Sequence, residues 1–327
     1  MKSSKKVEIR RLDENCLLSI VAPVYNEEAV LHALGERLKK VMDLFPTSCE
    51  VILVNDGSRD GSIGILKELA ETDERFRVVD LARNFGHQLA VSAGLFVARG
   101  DAVAIIDADL QDPPELIESM LERWADGVDV VYGRRSARHG ETRFKILTSK
   151  LFYRTLERLT DINIPNDAGD FRLVDRSVVD IINKMPERHR FLRGMFSWIG
   201  FRQEALDYER HARFAGETKY PLLKMISFSL DGVLSFSMSP LRFVTWLGLF
   251  VTVFSFLAGL YILTLKLISP EAFSPGLGGM FVAILFLFGV NFLVLGIIGE
   301  YVGRTFVNIQ GRPAYIIREI YEKSNKE

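Results

Sequence analysis

Residues Ile105–Glu115 read IIDADLQDPPE, and they join an apolar run to a group of carboxylates. The run Ala102–Ile106 has the composition of a buried strand, and Asp107 and Asp109 follow it two residues apart. Side chains at i and i+2 of an extended strand share one face. Two hard oxygen ligands on one side of a strand end suit a divalent cation such as Mg²⁺, which in turn suits phosphate. The stretch predicts a metal-assisted phosphate site; an acidic turn after a buried strand is the alternative.

Four further polar clusters each follow a predicted strand. Leu17–Val24 (LLSIVAPV) is a continuous apolar run, as expected for a strand buried on both faces, and helical patterns alternate with the later runs. The clusters read YNEE, NDGSRDGS, RNFGH and GRR, beginning at Tyr25, Asn55, Arg83 and Gly133. In an α/β fold with a mostly parallel sheet, the carboxyl ends of the strands meet at one edge, where ligands bind. The sequence therefore predicts an α/β domain whose polar clusters share one rim.

Charge, cysteine content and missing motifs exclude several functional classes. The formal net charge of −1 over 327 residues argues against a broad nucleic-acid-binding surface. Cys16 and Cys49 form no Cys-x-x-Cys pair, so neither a disulfide framework nor a zinc site is expected. The sequence has no G-x-x-x-x-G-K-[ST] loop and no G-x-G-x-x-G after the first strand, which argues against ATPases and dinucleotide-binding enzymes. Residues 1–15 are charged and lack the apolar core of a signal peptide.

Two long uncharged runs follow in the last third of the sequence. Phe243–Leu265 and Gly276–Gly299 are each about 23 residues long, roughly 35 Å as helix against a hydrocarbon core of about 30 Å. We predict a transmembrane hairpin, with a buried soluble helix pair as the alternative. Basic residues are more frequent outside the hairpin than in its connecting loop, which predicts a cytoplasmic location for the large domain and the tail. Residues 219–240 are predicted to form interfacial helices, with an ordinary packed helix as the alternative.

Four motifs resemble those of inverting nucleotide-sugar glycosyltransferases with the A-type, Rossmann-like fold. They are APVYNEE (Ala22–Glu28), VNDGSRDGS (Val54–Ser62), NFGHQLAVSAGL (Asn84–Leu95) and DADLQDPPE (Asp107–Glu115). With the apolar hairpin they are most similar to the polyprenyl-phosphate glycosyltransferases, a group that includes dolichol-phosphate mannose synthase-like enzymes and bactoprenol glucosyltransferases. The resemblance covers nearly the whole chain. It implies a UDP- or GDP-sugar donor, a lipid-phosphate acceptor such as undecaprenyl phosphate, and a β-linked lipid-phospho-sugar product.

The resemblance and the charge pattern together divide the chain into seven predicted segments. These are an N-terminal arm (1–16), a cytoplasmic glycosyltransferase domain (17–218), juxtamembrane interfacial helices (219–240), a first transmembrane helix (241–266), an extracytoplasmic loop (267–275), a second transmembrane helix (276–300) and a cytoplasmic tail (301–327). Such an integral membrane protein would belong to the bacterial inner membrane.

Roles for individual residues also follow from the resemblance. Asp107 and Asp109, with Gln111, would hold Mg²⁺ or Mn²⁺ on the donor diphosphate. The nucleotide pocket would be lined by Pro23, Tyr25, Glu27 and Asp56, and closed by a basic loop carrying Arg210, Arg213 and Lys219. Asp167 and Asp170 would orient a sugar hydroxyl or assist attack. For His87 we expect a structural role such as capping the following helix, with a place in the acceptor path as the alternative.

The chemistry of the acceptor predicts a basic cluster. A lipid monophosphate has a second pKa near about 6, so at neutral pH it can attack the anomeric carbon without a strong general base. The enzyme must instead supply positive charge, because two anionic groups have to approach each other. The candidates are Arg134, Arg135, Arg143 and Lys145, with Thr148 and Ser149 as hydrogen-bond donors. A solvated basic face is the alternative for any one of them.

Two other functions remain open from the sequence. A processive polysaccharide synthase of the same fold usually carries Gln-x-x-Arg-Trp, whereas Arg190–Gly194 reads RFLRG, and two spans cannot enclose a channel. A membrane-anchored nucleotide-sugar-binding scaffold without catalysis would not need both the carboxylates and the basic cluster. The sequence does not identify the sugar; similarity to bacterial two-span enzymes favours UDP-glucose. Small residues in the apolar runs, such as Gly248 and Gly296, permit close helix contacts within the hairpin or in a homo-oligomer.

Overall fold

The computed structural model describes residues 10–13, 15–135, 168–209, 239–268 and 277–323 of the chain. Their strands form one eight-stranded sheet. The strands are β1 (Leu17–Val24), β2 (Ser48–Asn55), β3 (Phe76–Leu81), β4 (Ala102–Ile105), β5 (Val130–Arg135), β6 (Ala168–Asp175), β7 (Gln203–Tyr208) and β8 (Ile317–Tyr321). Their order is β7-β5-β6-β4-β1-β2-β3-β8. Only β6 and β8 run antiparallel to their neighbours, so the sheet of the described residues is mostly parallel, as predicted.

Helices cover both faces of this sheet. They are α1 (Glu28–Met42), α2 (Ser62–Thr72), α3 (His87–Val97), α4 (Leu116–Ala125), α5 (Arg176–Lys184) and α6 (Leu192–Trp198). Apolar side chains of α1, α2 and α4 form one core with one face of the sheet. Those of α3, α5 and α6 form a second core with the other face. The central strands are buried on both faces, which explains their continuous apolar sequences.

The direction of the strands decides which residues meet at the rim. The carboxyl ends of β1 to β5 and of β7 lie at one edge of the sheet, since these strands run parallel. The two antiparallel strands present their first residues at this same edge, which places Asp170 of β6 and Arg318 of β8 there. Asp170, which we expected to orient a sugar hydroxyl or assist attack, lies within β6, whose backbone pairs with β4 and β5. The rim therefore carries residues from eight strands rather than five.

Two long helices follow the domain, α7 (Ser239–Ile268) and α8 (Leu277–Ile309). Of the helical residues whose side chains are described, Phe286–Ile309 is long and apolar enough to cross a membrane, with a mean hydropathy of 1.8 and none of it buried. The other run, Phe243–Leu265, lies within α7 and also exposes large apolar side chains, Trp246 and Phe250 among them. α8 extends to Ile309, nine residues beyond the predicted end of the second span at residue 300. In this extension Glu300 and Arg304 form an i,i+4 ion pair, 2.9 Å apart, on the helix surface.

After α8 the chain returns to the sheet. β8 pairs antiparallel with β3, and Ala82 N–H donates to the Ile316 carbonyl just beyond the ladder. Arg318 donates to the buried Asp80 carboxylate at 3.0 Å, and Lys67 lies 3.9 Å from the Tyr321 ring. The segment predicted as a separate tail is therefore in part an edge strand of the domain.

Candidate active site

The loops after β1 and β2 are held to each other by hydrogen bonds. Asn26, with φ of 54°, donates its N–H to Ser58 Oγ (3.1 Å) and accepts from Arg59 N–H through its side chain (2.8 Å). Glu27 N–H donates to Ser62 Oγ at 3.0 Å. Positive φ is uncommon for a residue with a Cβ. It persists here because the neighbouring loop forms hydrogen bonds with both the backbone N–H and the side chain of Asn26. The predicted nucleotide residues Pro23, Tyr25 and Glu27 lie on this braced segment, Pro23 buried and the other two half-buried.

Asp56 is a buried carboxylate that organises the loop after β3. Its oxygens accept the backbone N–H groups of Phe85 and Gly86 at 2.7 and 2.9 Å. Burial raises the pKa of Asp56, and these hydrogen bonds offset part of the rise. Gly57, with φ of 62°, lies so close to the Arg83–Asn84 backbone that a Cβ would be 2.5 Å away. The predicted nucleotide residue Asp56 therefore also positions its neighbours.

The carboxylates that follow β4 are crowded. Asp109 accepts the Gln111 N–H at 3.2 Å, and Asp112 accepts the Tyr208 hydroxyl at 2.5 Å. Leu110 between them has φ of 60°, a second non-glycine residue in the left-handed region. Burial raises the pKa of Asp107 to about 6, and the charges of Asp112, Asp170 and Asp109 add to the rise, while His87 opposes it. The excess negative charge at this point is the kind that a cation offsets.

His87 lies between two of these carboxylates. Its Nε2 is 3.3 Å from Asp170 Oδ2 and 3.6 Å from Asp107 Oδ1. Burial lowers the pKa of His87, but the two carboxylates outweigh it and raise the pKa to about 9. His87 is the first residue of α3, where Gly86 occupies the capping position. The expected capping role is therefore wrong, and the imidazole belongs to the acidic site.

Three side chains that the sequence analysis did not assign hold Asp170 in place. Arg193 of α6 forms a two-pronged ion pair with it, Nε to Oδ1 at 2.8 Å and Nη2 to Oδ2 at 3.1 Å. Gln88 lies 3.4 Å from the same carboxylate, and Arg172 donates to its carbonyl. Burial raises the pKa of Asp170, but Arg193 and His87 hold it well below its usual range. The RFLRG motif was the one sequence signal that could have pointed to Arg193.

The predicted acceptor residues are only partly described. Arg134 lies at the end of β5, on the rim, and forms a two-pronged ion pair with Asp207 of β7 at 2.5 and 2.7 Å. For Arg135 the structure gives the strand backbone. Four predicted acceptor residues and four other predicted site residues lie outside the described residues, namely Arg143, Lys145, Thr148, Ser149, Asp167, Arg210, Arg213 and Lys219.

A cleft of about 240 Å³ opens beside Gly57. Arg318 of β8 lies on one wall and pairs with Asp80, which accepts from Asn55 at 2.7 Å. Asn55 in turn accepts the Ser58 N–H at 3.2 Å. The strand after the apolar helices is thus connected to the loop after β2 through the side chains of Arg318, Asp80 and Asn55.

A divalent cation fits the chemistry of Asp107, Asp109 and Gln111. No group of three or more His, Cys, Asp or Glu side chains that could enclose a metal occurs in the described part of the chain. Mg²⁺ commonly uses one or two carboxylates and takes its other ligands from water and substrate phosphate. Two carboxylates and an amide oxygen, all hard donors, match that open mode of binding rather than a closed metal cage.

One known protein family matches the part of the chain that carries much of this rim. Residues 19–182, which include β1 to β4 and the carboxylates after β4, match the model of "Glycosyl transferase family 2". The chain belongs to this family. It is a glycosyltransferase with the A-type, Rossmann-like fold, and its mostly parallel sheet has the architecture that the sequence predicted.

Relatives match more than 90% of the chain. An uncharacterized glycosyltransferase of Bacillus subtilis, YkcC, is 48% identical over 94% of this chain and 95% of its own. The bactoprenol glucosyl transferase of Shigella phage SfII is 39% identical over 92% of this chain and 97% of its own. Glucosyl-3-phosphoglycerate synthase from Mycobacterium tuberculosis, solved with Mn²⁺ and UDP-glucose, is 18% identical over 67% of this chain and 78% of its own, with a TM-score of 0.46. Nothing about substrate or metal follows from a structural likeness of that size.

Proposed function

We propose that this glycosyltransferase moves a single hexose from a nucleotide sugar to a polyprenyl phosphate, with inversion at the anomeric carbon. Glucose from UDP-glucose and undecaprenyl (bactoprenyl) phosphate are the proposed donor and acceptor. The observation that carries the proposal is the similarity to bactoprenol glucosyl transferases over 92% of the chain, because it includes both the acidic rim and the apolar helices.

For the donor, Pro23, Tyr25, Glu27 and Asp56 supply the nucleotide side of the rim. Arg210, Arg213 and Lys219 are the proposed cationic contacts to the diphosphate. Asp107, Asp109 and Gln111 would hold Mg²⁺ or Mn²⁺, which when bound would stabilise negative charge on the departing nucleotide. Within the chain, His87 keeps the Asp107 and Asp170 carboxylates side by side despite their like charges, since its imidazole lies within 3.6 Å of both.

For the acceptor, Arg134, Arg135, Arg143, Lys145 and Ser149 are the proposed phosphate contacts. The lipid phosphate attacks in one displacement, which inverts the anomeric carbon and requires no proton transfer to the enzyme. Asp170 fits this scheme as an anion, because its pKa lies well below the usual range. We assign Asp170, together with Asp167, to orienting a sugar hydroxyl as a hydrogen-bond acceptor.

β8 constrains the membrane arrangement that we propose. Strands β1 to β8 belong to one sheet, so the chain between β7 and β8 must cross a membrane an even number of times. If Phe286–Ile309 crosses once, a second crossing is required, and the apolar run within α7 supplies it. This supports a hairpin of two spans with the catalytic domain and β8 on the cytoplasmic side, where nucleotide sugars are found. Residues 219–240 remain the proposed interfacial segment.

The test is transfer by the purified full-length protein. With undecaprenyl phosphate, Mg²⁺ and labelled nucleotide sugars, we expect one labelled sugar per lipid phosphate, with a β linkage and with UDP-glucose as the preferred donor. A screen should include UDP-galactose, UDP-GlcNAc and GDP-mannose. Failure with every donor would refute the proposed function, and a labelled polymer would identify a processive synthase instead.

A further inference from the structure

The RFLRG motif contains two arginines with different surroundings. Arg190 donates to the carbonyls of Ile182 and Met185 and so joins the end of α5 to the following turn. Arg193, three residues later, reaches the rim and pairs with both oxygens of Asp170. The side chains of Arg193 and Asp170 are 21% and 14% exposed, so the pair is largely removed from solvent. Arg190 therefore stabilises the local fold, whereas Arg193 contacts a proposed site residue.

The ion pair between Arg193 and Asp170 is part of a larger network of contacts around Asp170. Gln88 Nε2 lies 3.4 Å from Asp170 Oδ2, and its Oε1 accepts the Leu192 N–H at 3.0 Å, next to Arg193. Arg172 lies beneath, its guanidinium 4.6 Å from the Phe196 ring, and it donates to the Gly169 carbonyl at 2.9 Å. Elements α3, β6 and α6 therefore all contact the Asp170 region. The Asp170 carboxylate itself is contacted by Gln88 and Arg193, while Arg172 binds the backbone carbonyls of Gly169 and Asp170, so the carboxylate has little rotational freedom.

The carboxylate needs such support because its neighbours repel it. Asp107, Asp109 and Asp112 follow β4, which is paired directly with β6. Without an opposing cation, like charges at this spacing favour rotation of one carboxylate away from the others. A planar guanidinium fork fixes both oxygens at once, which a point charge cannot do.

We propose that Arg193 is a positioning residue for sugar transfer: its ion pair with Asp170 holds that carboxylate at the rim, beside His87 and Asp107, in the orientation that accepts a hydroxyl of the transferred sugar. The inference rests on the proposed function and deepens it. Arg193 of α6 would thus affect catalysis only through the position of Asp170.

The test is a double-mutant cycle on the full-length enzyme with Arg193→Gln, Asp170→Asn and both together. We expect each single variant to lower kcat by about 100-fold, the size of effect that a displaced catalytic group produces. The double variant should be no slower than Asp170→Asn, because Arg193 has no effect once its partner is gone. Arg193→Lys should retain more activity than Arg193→Gln, since it keeps the charge but loses the fork.

Inhibition by UDP and thermal unfolding separate positioning from a structural role. UDP lacks the sugar, so its inhibition constant should stay unchanged in Arg193→Gln. Arg75→Gln is the matched control: Arg75 forms a similar two-pronged pair with Asp73 at the opposite end of the sheet, and its loss should leave kcat unchanged. Arg190→Lys should lower the melting temperature rather than kcat.

Three results would overturn the inference. They are wild-type kcat in Arg193→Gln, losses that multiply in the double variant, or a fall in kcat accompanied by equal losses of UDP affinity and thermal stability. An inactive wild-type enzyme would be a different result, since it would refute the proposed function itself.

Discussion

At the residue scale, the acidic rim combines unusual backbone geometry with buried charge. Asn26 and Leu110 are the non-glycine residues with positive φ in the described chain, and each lies in a loop that carries predicted site residues. Such conformations persist where surrounding contacts over-determine them. Ser58 and Arg59 provide such contacts for Asn26, and Asp109 provides one beside Leu110 by accepting the Gln111 N–H. The loops are therefore shaped before any substrate arrives.

Asp109→Asn tests the proposed metal site. We expect loss of Mg²⁺-dependent transfer by at least about 100-fold, because an amide oxygen is a weaker ligand than a carboxylate. Folding should change little, since an amide can still accept the Gln111 N–H. Initial rates across a Mg²⁺ and Mn²⁺ series, with circular dichroism as the folding control, provide the measurement. Wild-type turnover in this variant would remove Asp109 from the site.

Gly57→Ala tests the close approach of two rim loops. An added Cβ would lie 2.5 Å from backbone atoms of Arg83 and Asn84, at a φ that alanine rarely adopts. We expect a loss of stability of about 1–3 kcal/mol and a higher donor KM, because the amides that Asp56 binds belong to the displaced loop.

Gly64→Ala is the matched control for that substitution. Gly64 lies in α2, and a Cβ there would meet no atom within 4 Å. Alanine should raise stability by up to about 1 kcal/mol without changing KM. Chemical denaturation and donor kinetics measure both variants, and equal effects on the two would contradict the proposed role of the Gly57 turn.

At the element scale, β8 completes the sheet on the β3 side. It buries the edge of β3, which would otherwise present unpaired backbone groups. It also brings Arg318 to Asp80 and thereby to Asn55 and the loop after β2. The position of α8 and the shape of the rim are thus connected through a short strand.

A stop codon at Ile317 tests the contribution of β8. We expect the loss of the β3–β8 ladder and of the Arg318–Asp80 pair to cost about 2–3 kcal/mol, lowering the melting temperature by about 5–10 °C. Aggregation should increase because the β3 edge is uncovered. A stop codon at Ser324 keeps all of β8 and serves as the control. Unfolding in detergent and size-exclusion chromatography are the measurements; equal behaviour of both truncations would refute the stabilising role.

Some strands could be predicted from the sequence and others could not. β1 and β4 were predictable because a strand buried on both faces is a continuous apolar run. β7 and β8 were not, because QEALDY and IREIY are half-exposed edge strands with mixed polarity, identified only by their partners. The same applies to the site. Asp56 and Asp107 follow strands and were expected at the rim, whereas Arg193 reaches it from a helix more than 20 residues beyond Asp170.

At the scale of the whole molecule, one sheet joins residues on both sides of the apolar helices in the sequence. The even number of crossings that follows is independent of charge bias, but it does not say on which side of the membrane the domain lies. The distribution of basic residues predicts the cytoplasmic side, which stays part of the proposal.

Cysteine labelling in intact cells tests this orientation. A membrane-impermeant maleimide should label Ser274→Cys, between the two apolar helices, from outside the cell. Ser324→Cys, after β8, should react only once the membrane is opened. The wild-type chain, whose Cys16 is buried and Cys49 half-buried, gives the background. Labelling of both variants in intact cells would contradict the hairpin, as would labelling of neither.

The strand after the helices has a further consequence for biosynthesis. Arg318 and Asp80 are separated by 238 residues, so the contact that completes the sheet is among the most non-local in the chain. Contacts of this kind form late, because closing a long loop costs entropy before any contact is gained. Both apolar helices are synthesised before β8, so they leave the ribosome while the β3 edge is still open. In the proposed two-span arrangement, membrane insertion of the helices would therefore precede completion of the sheet, and until β8 pairs the exposed edge of β3 is open to aggregation.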